Sequence, residues 1–263
     1  MQMLKDKVNA FLEQLHVVDL LGFTKTRVGK SSDGGYIVVD ELCRDTKHVY
    51  TFGVGTDVSF ELEFARRYPG AKFTLFDPTI PALPEEHPDF TFVKRGMPQA
   101  CHSPGFAVVP KGSILKMDIE WNEWETLELM SEETLCKFDQ LLIEFHAFSV
   151  ECPGNRYTSY FNGVLIDFKE QVDGALFLGY AGVLEKLNKH FHIFHVHANN
   201  SLPKQVVGKA ELPPLLEVSF VRKDLVGHSV PYTGPFPSPV LDHPNKTDRP
   251  DITEYETFLP GAW

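Results

Sequence analysis

Apolar positions along the chain change period several times, and each change marks an element. Leu4, Val8, Phe11, Leu12 and Leu15 recur at helical spacing and predict an amphipathic N-terminal helix. In TRVGKSSDGGYIVVD a glycine turn at Gly34-Gly35 leads into a short strand. Beyond it, short apolar runs alternate with helical stretches. VYTFGV (Val49 to Val54) reads as a strand, and DVSFELEFARRY (Asp57 to Tyr68) as a helix with Asp57 at its N-cap. KFTLFD (Lys72 to Asp77) is a strand stopped by Pro78, FTFVKR around Phe92 is another, and SILKMDIE (Ser113 to Glu120) is a fourth. WNEWETLELM predicts a helix, FDQLLIEFH (Phe138 to His146) a fifth strand, and GALFLGYAGVLEKLNKH (Gly174 to His190) a long helix. FHIFHVHA (Phe191 to Ala198) and LEVSFVRKD (Leu216 to Asp224) complete the series. The Pro-broken segment between these last two leaves no crossover helix, so they are expected as an antiparallel pair at one edge. The alternation as a whole predicts an α/β domain, a mostly parallel sheet with helices on both faces.

Two stretches fall outside this rhythm. Residues 147–172 carry Phe148, Tyr157, Tyr160 and Phe161 and are expected to form a lid. From Pro231 onward the chain is rich in proline (Pro235, Pro237, Pro239, Pro244, Pro250) and is expected to wrap the surface in extended form. The organisation expected is one domain over residues 1–230 and a packed tail over 231–263. The 263 residues are 43% hydrophobic and 12% aromatic, enough for one large core and too apolar for disorder. Lys and Arg number 25 against 36 Asp and Glu, a net charge of −11, which argues against a main role in gripping nucleic-acid backbones or anionic membranes. Apolar runs fall far short of the ~20 residues of a membrane span, and MQMLKDKVNAFLEQL lacks the apolar core of a secretory signal. A cytoplasmic location is therefore expected, or the secretory pathway if the chain is truncated at its N-terminus. Cys43, Cys101, Cys136 and Cys152 are scattered without a CxxC pair and read as reduced thiols.

TFGVGTD (Thr51 to Asp57) lies between the first of these strands and the first long helix. Glycine at 53 and 55 lets the backbone turn tightly and approach a ligand. Val58 stands where a GxGxxG turn has its third glycine. Asp77 ends the next strand about 20 residues on, where doubly wound folds set an acid against ribose hydroxyls. Together they predict a nucleoside site. Asp57 at the helix N-terminus opposes a pyrophosphate and tolerates a cationic sulfonium, so S-adenosylmethionine is the expected cofactor.

Alternation along strands pairs Asp118 with Glu120, Glu144 with His146, and His195 with His197 and Asn199, all near carboxyl ends where ligands bind in open parallel sheets. Three roles are open to this cluster. Its members form structural hydrogen bonds; or an imidazole acts as general base, His146 before His197; or Asp118, Glu144 and either His146 or His197 hold a divalent ion, Mg or Mn among the choices. Trp121 and Trp124 are candidates for an acceptor pocket, with helix packing the expected role of at least one. Asp33 and Gly34 are candidates for the cofactor's amino-acid end. Asn199 and Asn245 match a glycosylation pattern that is discounted, because the first lies at the expected site.

FGVGTDVSFELEFA, FDPT, LKMDIEWNEWE, LLIEFH and FHVHANN resemble the FkbM-type branch of S-adenosylmethionine-dependent methyltransferases, as does RVGKSSDGGYIV before them. The resemblance runs from about Arg27 to Asp224. It implies a Rossmann-like class I methyltransferase fold, roughly seven mostly parallel strands with an antiparallel edge strand, and O-methylation of sugar or glycan hydroxyls. It also implies that Gly53 and Gly55 belong to the cofactor loop, Asp77 to the ribose site, and Asp118 to the strand end beside the methionine part or the reaction centre. Trp121 and Asn122 depart from the glycine and small residue usual in that branch, which bears on substrate type. Two other readings stay open: a nicotinamide-dependent Rossmann oxidoreductase, and a non-catalytic binding module that uses the tail as its contact surface. The expected partner is a small-molecule or glycan acceptor, with no nucleic acid and no membrane.

Overall fold

The computed structural model describes residues 6, 9–97, 108–146, 158–161, 164–167, 174–207 and 210–253. Its strands, in chain order, are β1 (Val18–Leu20), β2 (Lys25–Val28), β3 (Tyr36–Val39), β4 (His48–Phe52), β5 (Lys72–Phe76), β6 (Phe90–Val93), β7 (Ser113–Met117) and β8 (Phe138–His146). They continue with β9 (Thr158–Phe161), β10 (Val164–Asp167), β11 (Phe191–Ala198), β12 (Gln205–Val207), β13 (Ala210–Leu212), β14 (Leu215–Arg222) and β15 (Ser229–Pro231). The helices that matter for the site are α1 (Ser59–Arg67), α2 (Glu123–Leu129) and α3 (Gly174–His190).

A seven-stranded sheet of order β6-β5-β4-β7-β8-β14-β11 organises the chain. β4, β5, β6, β7 and β8 run parallel, while β14 runs antiparallel to both β8 and β11. Numbered by their order in the chain, the seven strands lie 3-2-1-4-5-7-6, which is a Rossmann-like fold of the class I methyltransferase type. The last two strands do form the expected antiparallel pair. The reversed strand is the inner one, however: β14 inserts between β8 and β11, and β11 is the edge.

Both faces of the sheet are covered, because alternate strand residues feed different cores. Phe52, Leu115, Leu141 and Ile143 pack with Phe11, Leu12 and Leu15, with Trp124 and Leu127 of α2, and with Val183, Leu184 and Leu187 of α3. Val49, Phe73, Leu75, Ile114 and Leu142 pack on the opposite side with Phe60 and Phe64 of α1. On that second face the alternation also places Thr51, Lys116 and Glu144, polar residues that run toward the carboxyl ends of the strands.

Several expectations meet a different outcome. α1 opens at Ser59 rather than Asp57, and the Asp57 carboxylate accepts the Ser59 N–H at 3.0 Å from outside the helix. β7 ends at Met117, three residues short of the expected strand. Glu120 and Trp121 then adopt left-handed backbone, with φ of 51° and 79°. Leu4, Val8, Cys101, Cys152, Phe148 and Tyr157 lie outside the described residues, as does most of the expected lid; a β9–β10 antiparallel hairpin occupies part of that stretch. The chain beyond Pro231 is described to residue 253, and β15, which precedes it, pairs with β1. Among the described residues no helix is long and apolar enough to cross a membrane.

Candidate active site

The carboxyl ends of β4, β5 and β7 open onto a cleft of about 710 Å3. Its wall begins with the turn after β4. Gly53 has φ of 82°, and a Cβ there would stand 1.6 Å from the Asp118 carbonyl oxygen, so only glycine lets the turn pass this close to the end of β7. Gly55 has φ of 54° and meets nothing within 4 Å, which leaves its backbone facing open space. Gly34 brings in a second loop: at φ of 90°, a Cβ would lie 2.2 Å from the Asp57 carboxylate. Lys30 of the same loop pairs with Asp57 at 3.1 Å. Gly34, Gly53, Gly55, Asp77 and Asp118 all line the cleft.

Asp77 organises the turn. Val54 and Gly55 donate their N–H groups to its Oδ2 at 2.9 and 2.8 Å, and Thr79 donates its N–H and hydroxyl to Oδ1 at 2.7 and 2.6 Å. A carboxylate offers about four acceptor positions, and these donors occupy them. Burial pushes the Asp77 carboxyl up, but the donors outweigh it and hold the pKa below its ordinary value. On the cleft floor, Lys116 lies 3.4 Å from Glu61 and over the Tyr36 ring, a buried pair that the sequence pattern did not single out.

At the far end, Asp118, Glu120 and His146 converge, with ligand atoms within 4.8 Å of one another. The pleat does not produce this. Glu120 lies beyond β7, and the left-handed turn at Glu120 and Trp121 swings it back toward the strand end. His146 Nε2 lies 3.2 Å from Glu120, and Nδ1 lies 3.1 Å from Glu123, a fully buried carboxylate in the first turn of α2. Burial pulls the His146 pKa down, yet Glu123 and Glu120 raise it well above the ordinary histidine value. Asp118 is pushed up to about 6 by burial, against the pull of His146 and Lys116.

A second set, Asp33, Glu144 and Glu217, also converges within 4.8 Å. Glu144 and Glu217 are cross-strand partners on β8 and β14. Burial, then Asp118 and Glu217, raise the Glu144 carboxyl well above its usual range. Asn199 donates to Glu144 at 2.9 Å and Asn245 donates to Glu217, so both sequon asparagines are buried and engaged.

The expected set of Asp118, Glu144 and His197 is not brought together. Glu217 and Asp251 take the two ring nitrogens of His197 at 3.0 and 3.1 Å, and the ring is 1% exposed. Burial lowers its pKa, but those two carboxylates raise it to about 10. Neither His146 nor His197 is among the residues that line the cleft, and both rings already have carboxylates at both nitrogens, so neither is poised as a general base. His195 is held likewise by Asp242 at 2.7 Å. Trp124 packs rather than lines a pocket: it is buried, stacks on Phe145 and Tyr180, and donates to the His146 carbonyl. The Trp121 ring lies 5.5 Å from the His146 ring.

Glu217 was legible in hindsight as a carboxylate within an otherwise apolar strand. Glu123 was not, because an acid in the first turn of a helix is ordinary. Asp242 and Asp251 sit in a Pro-rich stretch with no pattern to single them out.

No protein-family model and no curated protein matches the chain. Among solved structures, it is similar to a Methanococcus jannaschii fibrillarin pre-rRNA processing protein (11% identity, 69% of each chain, TM-score 0.36). It is also similar to a chain of a fibrillarin/Nop5p complex (14%, 79% of this chain and 98% of that one, 0.39). A precorrin-6y C5,15-methyltransferase from Geobacter metallireducens is a third (10%, 70% and 86%, 0.33). At TM-scores this low, the strand order itself carries the fold assignment.

Proposed function

We propose that the chain is an S-adenosylmethionine-dependent O-methyltransferase of the FkbM type, acting on a sugar or glycan hydroxyl. The observation that carries this is the character of the cleft: among the described residues, six acidic residues line it against three basic, around a two-glycine turn at the strand ends. A sulfonium cation suits that field, whereas a dinucleotide pyrophosphate or a nucleic-acid backbone does not. On this reading Gly53, Gly55 and Gly34 border the cofactor. Asp77 holds the turn through its amide donors and reaches the ribose when the Thr79 hydroxyl swings aside. Residues 1–230 act as the catalytic domain, with the 231–263 tail packed on it.

The acceptor hydroxyl lies against Asp118, in line with the sulfonium methyl. Its oxygen forms the new bond to the methyl carbon as the carbon–sulfur bond breaks, and that electron pair stays on sulfur as a thioether. The hydroxyl proton leaves by way of the carboxylates at this end of the cleft. A divalent ion, Mg or Mn, belongs to the same reading as an aid to that ionisation.

Transfer of labelled methyl from S-adenosylmethionine to a panel of saccharides tests the proposal. Asp118→Asn is expected to lower turnover by about a hundredfold or more while S-adenosylhomocysteine still binds. Unchanged turnover in that variant would remove Asp118 from the chemistry.

A further inference from the structure

We infer that Asp118, Glu120 and His146 are the ligands of a divalent-metal site at the acceptor end of the cleft, with Glu123 as the residue that positions the histidine. Its catalytic role rests on the methyl-transfer reading; its existence rests on geometry. The three side chains come from two separate strand ends, yet their ligand atoms lie within 4.8 Å of one another. Asp118 is half-buried and lines the cleft, and among the described residues no hydrogen bond reaches its carboxylate.

The histidine is oriented as a metal ligand is. Its Nδ1 faces Glu123 Oε1, and that same oxygen accepts the Ile119 N–H at 2.8 Å, which ties the carboxylate to the turn carrying Glu120. A carboxylate at one ring nitrogen fixes the tautomer and directs the other nitrogen to an ion, and Nε2 here lies 3.2 Å from Glu120. Glu123 is fully buried, and among the described residues its Oε2 has no hydrogen-bond partner, a costly arrangement that a cation beyond the imidazole would offset. The consecutive left-handed residues Glu120 and Trp121 give the turn a backbone that non-glycine residues seldom adopt, and it is this turn that delivers the second carboxylate.

Asp118 and Glu120 also line the cleft, so an ion between them keeps coordination positions open on the side where an acceptor would enter. Two carboxylates and one imidazole suit Mn, Fe or Zn. Bound there, the ion would take the acceptor oxygen and lower its pKa, the hydroxyl proton passing to solvent at the exposed mouth beside Glu120. The rival acidic set at Asp33 offers no imidazole, and Asn199, Asn245 and His197 already occupy Glu144 and Glu217.

Manganese(II) titrated into the full metal-free chain tests this, followed by calorimetry and by electron spin echo spectroscopy. One ion per chain is expected, with nitrogen coupling from one imidazole. Glu120 is 79% exposed, so Glu120→Gln leaves the core intact, and it should weaken binding at least about tenfold. Glu123→Ala should weaken it about 10–100-fold and alter the nitrogen coupling, while Glu123→Gln, which keeps an acceptor oxygen, restores most of both. Absence of manganese binding to the folded chain overturns the site, as does unchanged affinity in Glu120→Gln or a loss confined to Glu217→Gln. S-adenosylhomocysteine titrated into the same metal-free sample separates the two claims. Nucleoside bound without manganese removes the ion and leaves methyl transfer; manganese bound without nucleoside does the reverse.

Discussion

Two glycines in one turn do different work, and a methyl group distinguishes them. At Gly53 a Cβ would collide with the Asp118 carbonyl, whereas at Gly55 it would enter open space. Gly53→Ala is therefore expected to cost about 2–5 kcal/mol of folding stability, the sum of left-handed backbone strain and a clash with backbone that has little room to move. Gly55→Ala should cost only about 1–2 kcal/mol, from backbone strain alone. Its methyl would protrude into the cleft and weaken nucleoside binding more than it weakens the fold. Urea denaturation and ligand calorimetry on both variants read the split; equal stability losses would mean that the turn does not press on the end of β7. Both glycines and Asp77 were legible in the sequence because their spacing answers to a turn between strand and helix. The use of Asp77 was not legible, since its four donors come from backbone and a neighbouring threonine whose positions only the fold defines.

At the scale of elements, legibility followed hydrophobic period. The strands β4, β5, β7 and β8 stood out because each carries a run of buried apolar residues, and β6 and α3 because of their apolar spacing. β1, β12, β13 and β15 did not, being three residues long and, for β1 and β15, paired across more than two hundred positions of chain. The polar cluster was half legible. Glu144 and His146 share a face through the pleat of β8, but Glu120 arrives by a turn, and β11 is occupied by tail carboxylates that no periodicity announces. That clamp has a pH signature. His197 is held by Glu217 of β14 and Asp251 of the tail, with Asp242 adding its charge, and its folded pKa of about 10 exceeds the unfolded value of about 6.5. Its contribution to stability is thus fully present below about pH 6.5 and is lost as pH rises through about 10. The urea midpoint should fall over that window more steeply in the wild type than in His197→Asn, and Asp251→Asn should shift the fall to lower pH. Parallel profiles in all three proteins would show that the clamp carries no such linkage.

For the whole molecule, an acidic chain with an acidic cleft narrows what can bind. The fold sets the carboxyl ends of β4, β5 and β7 around one space, and on the proposed reading the excess of carboxylates over basic groups there favours a cationic donor over a phosphate-rich one. The most direct test is calorimetric titration of the folded chain with S-adenosylmethionine, its demethylated product and NADH in parallel. One sulfonium or thioether nucleoside bound per chain is predicted, retained in Asp118→Asn, with NADH much weaker. Folded protein that takes up neither nucleoside at millimolar concentration, or that prefers NADH, would contradict the account.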